Sequence, residues 1–207
     1  MKTFNNLYGK IYDFHNLVLA WKKARKRKTK KKYVVEFEAN LRQNILQLQE
    51  ELKSKNYLPL PLMTFVVKDP KTKKISKSDF RDRIVYHGLY AILNPIYERI
   101  FIQDSCAGRK GKGNLYALKK FYKYLRKVSK NGRVYKNKFN DSNYIRGYCL
   151  KADIKHYFQE IDHNILFNML EKKITDKDLL DLIKKIVANF EMKRERELLI
   201  KECLLVI

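Results

Sequence analysis

Acidic residues are scarce. The 207-residue chain has 22 Asp and Glu against 46 Lys and Arg, a formal net charge of +24. A chain this cationic resists self-association and attracts polyanions, chiefly nucleic acid or an anionic membrane surface. Long apolar runs are missing too. No stretch of about eighteen consecutive apolar residues occurs and no signal-peptide pattern opens the chain, which argues against a spanning or secreted protein and for no membrane partner. Cysteine is confined to Cys106, Cys149 and Cys203, odd in number and without CxxC spacing. That disfavours a disulfide framework or a zinc site and fits a reducing, cytoplasmic setting. What is present is globular in kind: 45% hydrophobic and 13% aromatic residues outweigh the 33% that are charged. The length allows one large domain or two small ones with a real core. Composition implies a polyanion binder and does not imply an enzyme.

Periodicity supplies the elements. Leu7, Ile11, Phe14, Val18 and Trp21 recur at helical spacing and lead into a basic burst, where from Lys22 to Lys32 only Ala24 and Thr29 are uncharged. Lys22, Lys23, Arg25, Lys26, Arg27 and Lys28 are candidate phosphate contacts, because clustered cations gain free energy by releasing counterions from a nucleic acid. A solvated helix end with a linker is the plainer alternative. Phe37, Leu41, Ile45, Leu48 and Leu52 predict an amphipathic helix over residues 36–55. After NYLPLPL, the two runs around Asp69-Pro70 predict a hairpin with Lys68, Lys71, Lys73, Lys74 and Lys77 at its tip and flanks.

Residues 80–102 read as a helix kinked near Pro95, with Ile84, His87, Gly88, Ala91 and Ile92 on one side. His87 there is expected to be a hydrogen-bonded core histidine, since no second ligand has metal spacing with it. The Gly-rich basic turn QDSCAGRKGKGN precedes the helix NLYALKKFYKYLRKV, a place where free amides can meet an anion. SKNGRVYKNKFNDSN reads as a surface loop and GYCLKADI as an apolar strand ending on Asp153. A buried, unpaired carboxylate is costly, so Asp153 calls for a cation or for the strand's exposed end. Asp162 is placed to cap a helix through Ile165, Leu166 and Met169, and a last helix follows over KDLLDLIKKIVANF. The expected fold class is α/β (α+β): helices around a hairpin and a central strand.

These pieces, in this order, carry a resemblance. NLYGKIYDFHNL with its basic tail, VVKDPKTKKIS, FRDRIVYHGLYAILNPIYERIFIQDS, AGRKGKGN and LKADIKHYFQEIDHNIL together resemble the N-terminal half of bacterial reverse transcriptases of the group II intron, retron and diversity-generating-retroelement kind. The resemblance implies the fingers and partial palm of a right-hand polymerase. It divides the chain into an N-terminal helix and basic segment (1–34), a fingers region (35–146), the start of the palm (147–190) and an atypical tail (191–207). It implies RNA-directed DNA polymerase activity, a nucleotidyltransfer using an RNA template, a DNA primer and dNTP. Asp153 is then the first metal-binding, catalytic aspartate, with the backbone carbonyl of Ile154 beside it, because two Mg²⁺ ions need carboxylate oxygens to hold them. Phe158 matches the steric gate under the nucleotide sugar. Lys68 and Lys73 match dNTP-binding positions, where cations meet phosphate charge. Arg109, with Lys110 and Lys112 in its turn, matches a position near template and nucleotide.

Departures accompany the match. Lys73 stands where arginine is usual, which loses the bidentate fork. FQEIDH and SCAGR differ from the usual Phe-Pro-Ser-Ile-Asp-His and Ser-Tyr-Ala-Cys-Arg. Past Phe190 the resemblance stops, and no Asp-Asp pair occurs in the 207 residues. This polypeptide alone is therefore expected to be inactive and at most weakly metal-binding, and a downstream fragment with the remaining palm and thumb is an expected partner. A truncated polypeptide, a frameshifted gene and a split enzyme all fit, with residues 191–207 read as out-of-frame sequence in the second case. A non-catalytic nucleic-acid-binding protein on the same fold is the alternative.

Overall fold

The computed structural model describes residues 2–68, 70, 72–129, 149–154, 157 and 160–189. The elements in chain order are α1 (Tyr8–Ile11), α2 (Phe14–Arg25), α3 (Lys32–Ala39), α4 (Leu41–Lys53), β1 (Met63–Val67), β2 (Lys73–Lys77), α5 (Phe80–Tyr97), α6 (Asn114–Val128) and α7 (His163–Glu171). Residues 177–189 are also helical and are called α8. The described fold is mixed: mostly helical, with one two-stranded antiparallel sheet. Among the described residues no helix is long and apolar enough to cross a membrane. The chain divides into one unit built from residues up to Pro95 together with those from Asp162 onward, and a second unit, Ile96–Ile161.

The first unit holds the core. Ile11, Leu17, Val34, Ile45, Leu48, Leu52, Ile84 and Leu179 are all within 1% of complete burial, and each such side chain contributes about 1.5–3 kcal/mol of transfer free energy. Local polar groups decide where its helices begin and break. The first apolar periodicity, read as a single helix, is split at Asp13, whose carboxylate accepts the Asn16 amide at 3.1 Å and starts α2 afresh. The helix expected over 36–55 begins earlier, at Lys32, and is interrupted at Asn40 (φ −123°, ψ 43°); across the break Asn44 donates its side-chain amide to the Phe37 carbonyl at 2.8 Å. In α5, Pro95 sits in the last turn and the helix stops at Tyr97 instead of running to 102.

Two buried aspartates tie distant segments together. Asp82, fully buried in α5, accepts the Tyr57 hydroxyl at 2.9 Å and the Leu60 amide at 2.9 Å, which fastens the proline-bearing segment onto the helix. Asp176 accepts the amides of Leu7 (2.6 Å), Tyr8 (2.8 Å) and Leu179 (3.1 Å), so one carboxylate caps the starts of α1 and α8 together. Beside it, Phe4 and Ile174 form an isolated bridge, with Phe4 N to Lys173 O at 2.8 Å and Thr175 N to Phe4 O at 2.9 Å. Asp162 caps α7 as the sequence suggests, accepting from Asn164 at 2.8 Å and Ile165 at 3.1 Å.

The second unit is different in kind. Among its described residues Ile96 is the one buried apolar side chain, and α6 buries none. The strand expected over GYCLKADI is not found among its described residues. Residues 149–154 are neither helix nor strand, and Leu150 is 93% and Ile154 69% exposed. A strand exists through hydrogen bonds to a neighbouring edge, and among the described residues only β1 and β2 form a ladder. Apolar character alone therefore does not make this run a strand. Most of the expected loop over 129–143 lies outside the described residues.

Candidate nucleic-acid interface

The hairpin forms as its sequence suggests. β1 and β2 pair antiparallel with Met63 opposite Lys77, Phe65 opposite Ile75 and Val67 opposite Lys73. It lies open to solvent: Phe65, Val66 and Ile75 are all 40% exposed or more, and Lys68 at the end of β1 is exposed. Lys73 begins β2, while Asp69 and Lys71 of the tip lie outside the described residues. At the hairpin's base the Lys77 ammonium sits 4.0 Å from the Tyr33 ring centre and the Arg83 guanidinium 4.8 Å from it, contacts that hold cations against an aromatic face.

The basic run shares this unit. Lys22, Lys23, Lys26, Arg27 and Lys28 are exposed. Arg25 is not available in the same way. It pairs with Glu38 at 2.7 Å and stacks on Trp21 at 4.8 Å, while the Trp21 indole donates to Glu38 at 3.0 Å. Arg25 thus braces α2 against α3. His87 is half-buried, and burial, followed by the charges of Lys23, Lys28 and Arg83, holds its imidazole below the usual histidine range.

In the second unit the Gly-rich turn is built from within. Gly108, Gly111 and Gly113 have φ of +68°, +75° and +116°, a backbone that side-chain-bearing residues adopt at a cost. Arg109 fills the turn's interior. Its guanidinium donates to Glu98 Oε1 (2.9 Å) and to the carbonyls of Ile102 (2.7 Å), Ser105 (3.0 Å) and Glu98 (3.3 Å), leaving the side chain 9% exposed. The hydrogen bond from Arg109 also holds the Glu98 carboxyl below the usual range. The donors that a template contact would need are engaged, so Arg109 positions the turn. Lys112 donates to the Gln103 carbonyl at 2.7 Å, and Lys110 is the exposed cation of the three. Glu98 was not singled out by the sequence; its signal is a carboxylate eleven residues before an arginine in a Gly-rich turn.

Asp153 and Ile154 also belong to the second unit and are exposed; Phe158 lies outside the described residues. The implied Mg²⁺ ions need several hard oxygen ligands. Among the described residues no group of three or more His, Cys, Asp or Glu side chains comes together. Those described residues therefore do not supply the several ligands of a two-metal site.

Comparison with known proteins adds one distant likeness. No family model matches the chain. It is similar to Protein YkfC of Escherichia coli (strain K12), at 24% identity over 153 residues, which is 72% of this chain and 36% of YkfC. The chain spans about a third of that relative's length.

Proposed function

We propose that this chain is the fingers and first part of the palm of a right-hand, retroelement-type reverse transcriptase, an RNA-directed DNA polymerase that binds an RNA template with its DNA primer and a dNTP. The observation that carries the reading is the exposed cationic hairpin β1–β2, lying between the proline-bearing segment and the FRDR-led helix α5, in the order that the resemblance implies. In that role Lys68 and Lys73 meet the triphosphate charge and Phe158 screens the sugar. Asp153 supplies one carboxylate, and the metal ions of such an enzyme need others besides it. Lys22, Lys23, Lys26, Arg27, Lys28 and Lys110, exposed on their units, supply backbone charge for the nucleic acid.

A second reading, a non-catalytic nucleic-acid-binding protein on the same fold, is favoured by the lack of an Asp-Asp pair in the 207 residues and of a carboxylate cluster among the described ones. One set of experiments separates the two. The chain is expected to bind single-stranded RNA with a steep salt dependence, and replacement of Lys22, Lys23, Lys26, Arg27 and Lys28 together by Gln to flatten the slope of log affinity against log salt. On its own it is expected not to extend a DNA primer on RNA. Mixed with a separately produced polypeptide carrying a Tyr-x-Asp-Asp hairpin and thumb, it is expected to support extension that Asp153→Asn abolishes. RNA binding with no extension in that mixture selects the non-catalytic reading; no RNA binding at all sinks both.

A further inference from the structure

Helix α6, NLYALKKFYKYLRKV, contains cations and no carboxylate. At 3.6 residues per turn, Lys119, Lys123, Arg126 and Lys127 fall at i, i+4, i+7 and i+8 and share one side of the helix, with Tyr122 on its border. These five side chains line one shallow groove. All five are exposed, and the four cations have no acidic partner among the described residues. Lys120, on the next row, shows the contrast: Asp104 holds it at 3.2 Å and also accepts the Tyr124 hydroxyl at 2.6 Å. Asp104 is thus engaged by Lys120 and Tyr124, and among the described residues no carboxylate pairs with the neighbouring row. That row points to a polyanion.

Two polyanions suit a cationic amphipathic helix: a nucleic acid and an anionic membrane surface. The aromatic placement favours the first. The Tyr122 ring, 52% exposed, stands beside the cation row. About one turn before Lys119 and Lys120, Tyr116 carries Lys112 and Lys120 at 5.5 and 5.8 Å from its ring centre. Rings interleaved with cations offer stacking faces beside phosphate contacts, whereas a membrane-bound helix gains by keeping its aromatics on the apolar arc. Lys110, exposed in the turn that leads into α6, adds to the same charge. We infer that the Lys119–Lys123–Arg126–Lys127 row is a second single-strand contact, separate from Lys22–Lys32, that takes phosphates on its cations and stacks a base on Tyr122. The inference rests on the nucleic-acid-binding part of the proposed function and not on polymerase activity.

Titration of the whole chain with a labelled oligouridylate, over a range of salt, tests it. Replacing Lys119, Lys123, Arg126 and Lys127 together by Gln is expected to reduce the slope of log affinity against log salt by about 2 to 3. Replacing the three lysines by Arg leaves the slope in place. Tyr122→Ala weakens binding about tenfold at unchanged slope, and Tyr122→Phe restores it. A quadruple variant with the unmodified chain's slope overturns the inference. A readout on the unmodified protein guards against misfolding of the variant: bound RNA should shield Lys119, Lys123 and Lys127 from acetylation while exposed Lys53 stays reactive, and equal reactivity with and without RNA also overturns it. Phosphatidylserine vesicles that release the quadruple variant while RNA affinity holds would assign the row to a membrane instead. If the unmodified chain binds no RNA, the proposed function fails first; if replacing Lys22, Lys23, Lys26, Arg27 and Lys28 by Gln lowers the slope and the α6 variant does not, only this contact fails.

Discussion

Asp176 and Asp82 are both removed from water, yet their surroundings drive their titration in opposite directions. Burial raises the cost of ionising Asp176, but amide donors from Tyr8, Leu179 and Leu7 outweigh it, and its carboxyl titrates below the usual range. A depressed native pKa means that Asp176 contributes stability above the unfolded value of about 3.9, and that this is lost as the pH falls through the native pKa. For Asp82 burial prevails over the Tyr57 and Leu60 hydrogen bonds, and its carboxyl is held above the usual range. The linkage then reverses: what Asp82 gains by protonation is full below about 3.9 and is lost as the pH rises through its raised native pKa. Asp176→Asn is expected to cost about 1.5–3 kcal/mol at neutral pH by weakening charge-assisted bonds. Asp82→Asn, whose amide oxygen still accepts a hydrogen bond, should cost less than about 1 kcal/mol. Urea unfolding at pH 7 and pH 4 measures both, and the idea fails if Asp82→Asn proves the more damaging at pH 7.

At the level of elements, the Gly-rich turn before α6 is clamped by a single side chain, that of Arg109. Arg109 engages one carboxylate and three carbonyls with a planar fork, a geometry that a lysine ammonium does not reproduce. Arg109→Lys should therefore speed hydrogen exchange at Ser105 and Lys112, whose amides bond within the turn, while amides in the middle of α6 keep their protection. Equal acceleration along the whole helix would mean that the clamp holds more than the turn. The hairpin and the Asp162 cap were legible in the sequence because their causes are local: turn chemistry at Asp69-Pro70, and a carboxylate before an apolar run. The break at Asn40 was not, because the apolar period continues across it and a side-chain bond from Asn44 settles it. Residues 149–154 were misread for a related reason. Strand character in that run depends on an edge to pair with, which periodicity cannot supply. The part assigned to Arg109 followed from its position in a motif, and its partner Glu98 lies in a segment that the motif treats as helix.

Across the whole molecule burial is unequal. The first unit encloses a packed core, while among the described residues of the second, Ile96 alone is buried and Ile102, Leu115 and Val128 stay more than 60% exposed. The first unit is also assembled from two stretches separated in sequence, and the Asp176 carboxylate that caps α1 lies 169 residues from Leu7. This connection has a consequence for how the protein is made. At about 5–20 residues per second, α1 leaves the ribosome on the order of ten to thirty seconds before its capping acid exists, and β-bridge formation by Phe4 must wait as long. Chains stalled before Lys173 should show Phe4–Ile11 open to protease, and chains stalled well after Leu179 should show it protected. Phe4–Ile11 is thus synthesised well before the acid that secures it, and stays unfastened for that interval.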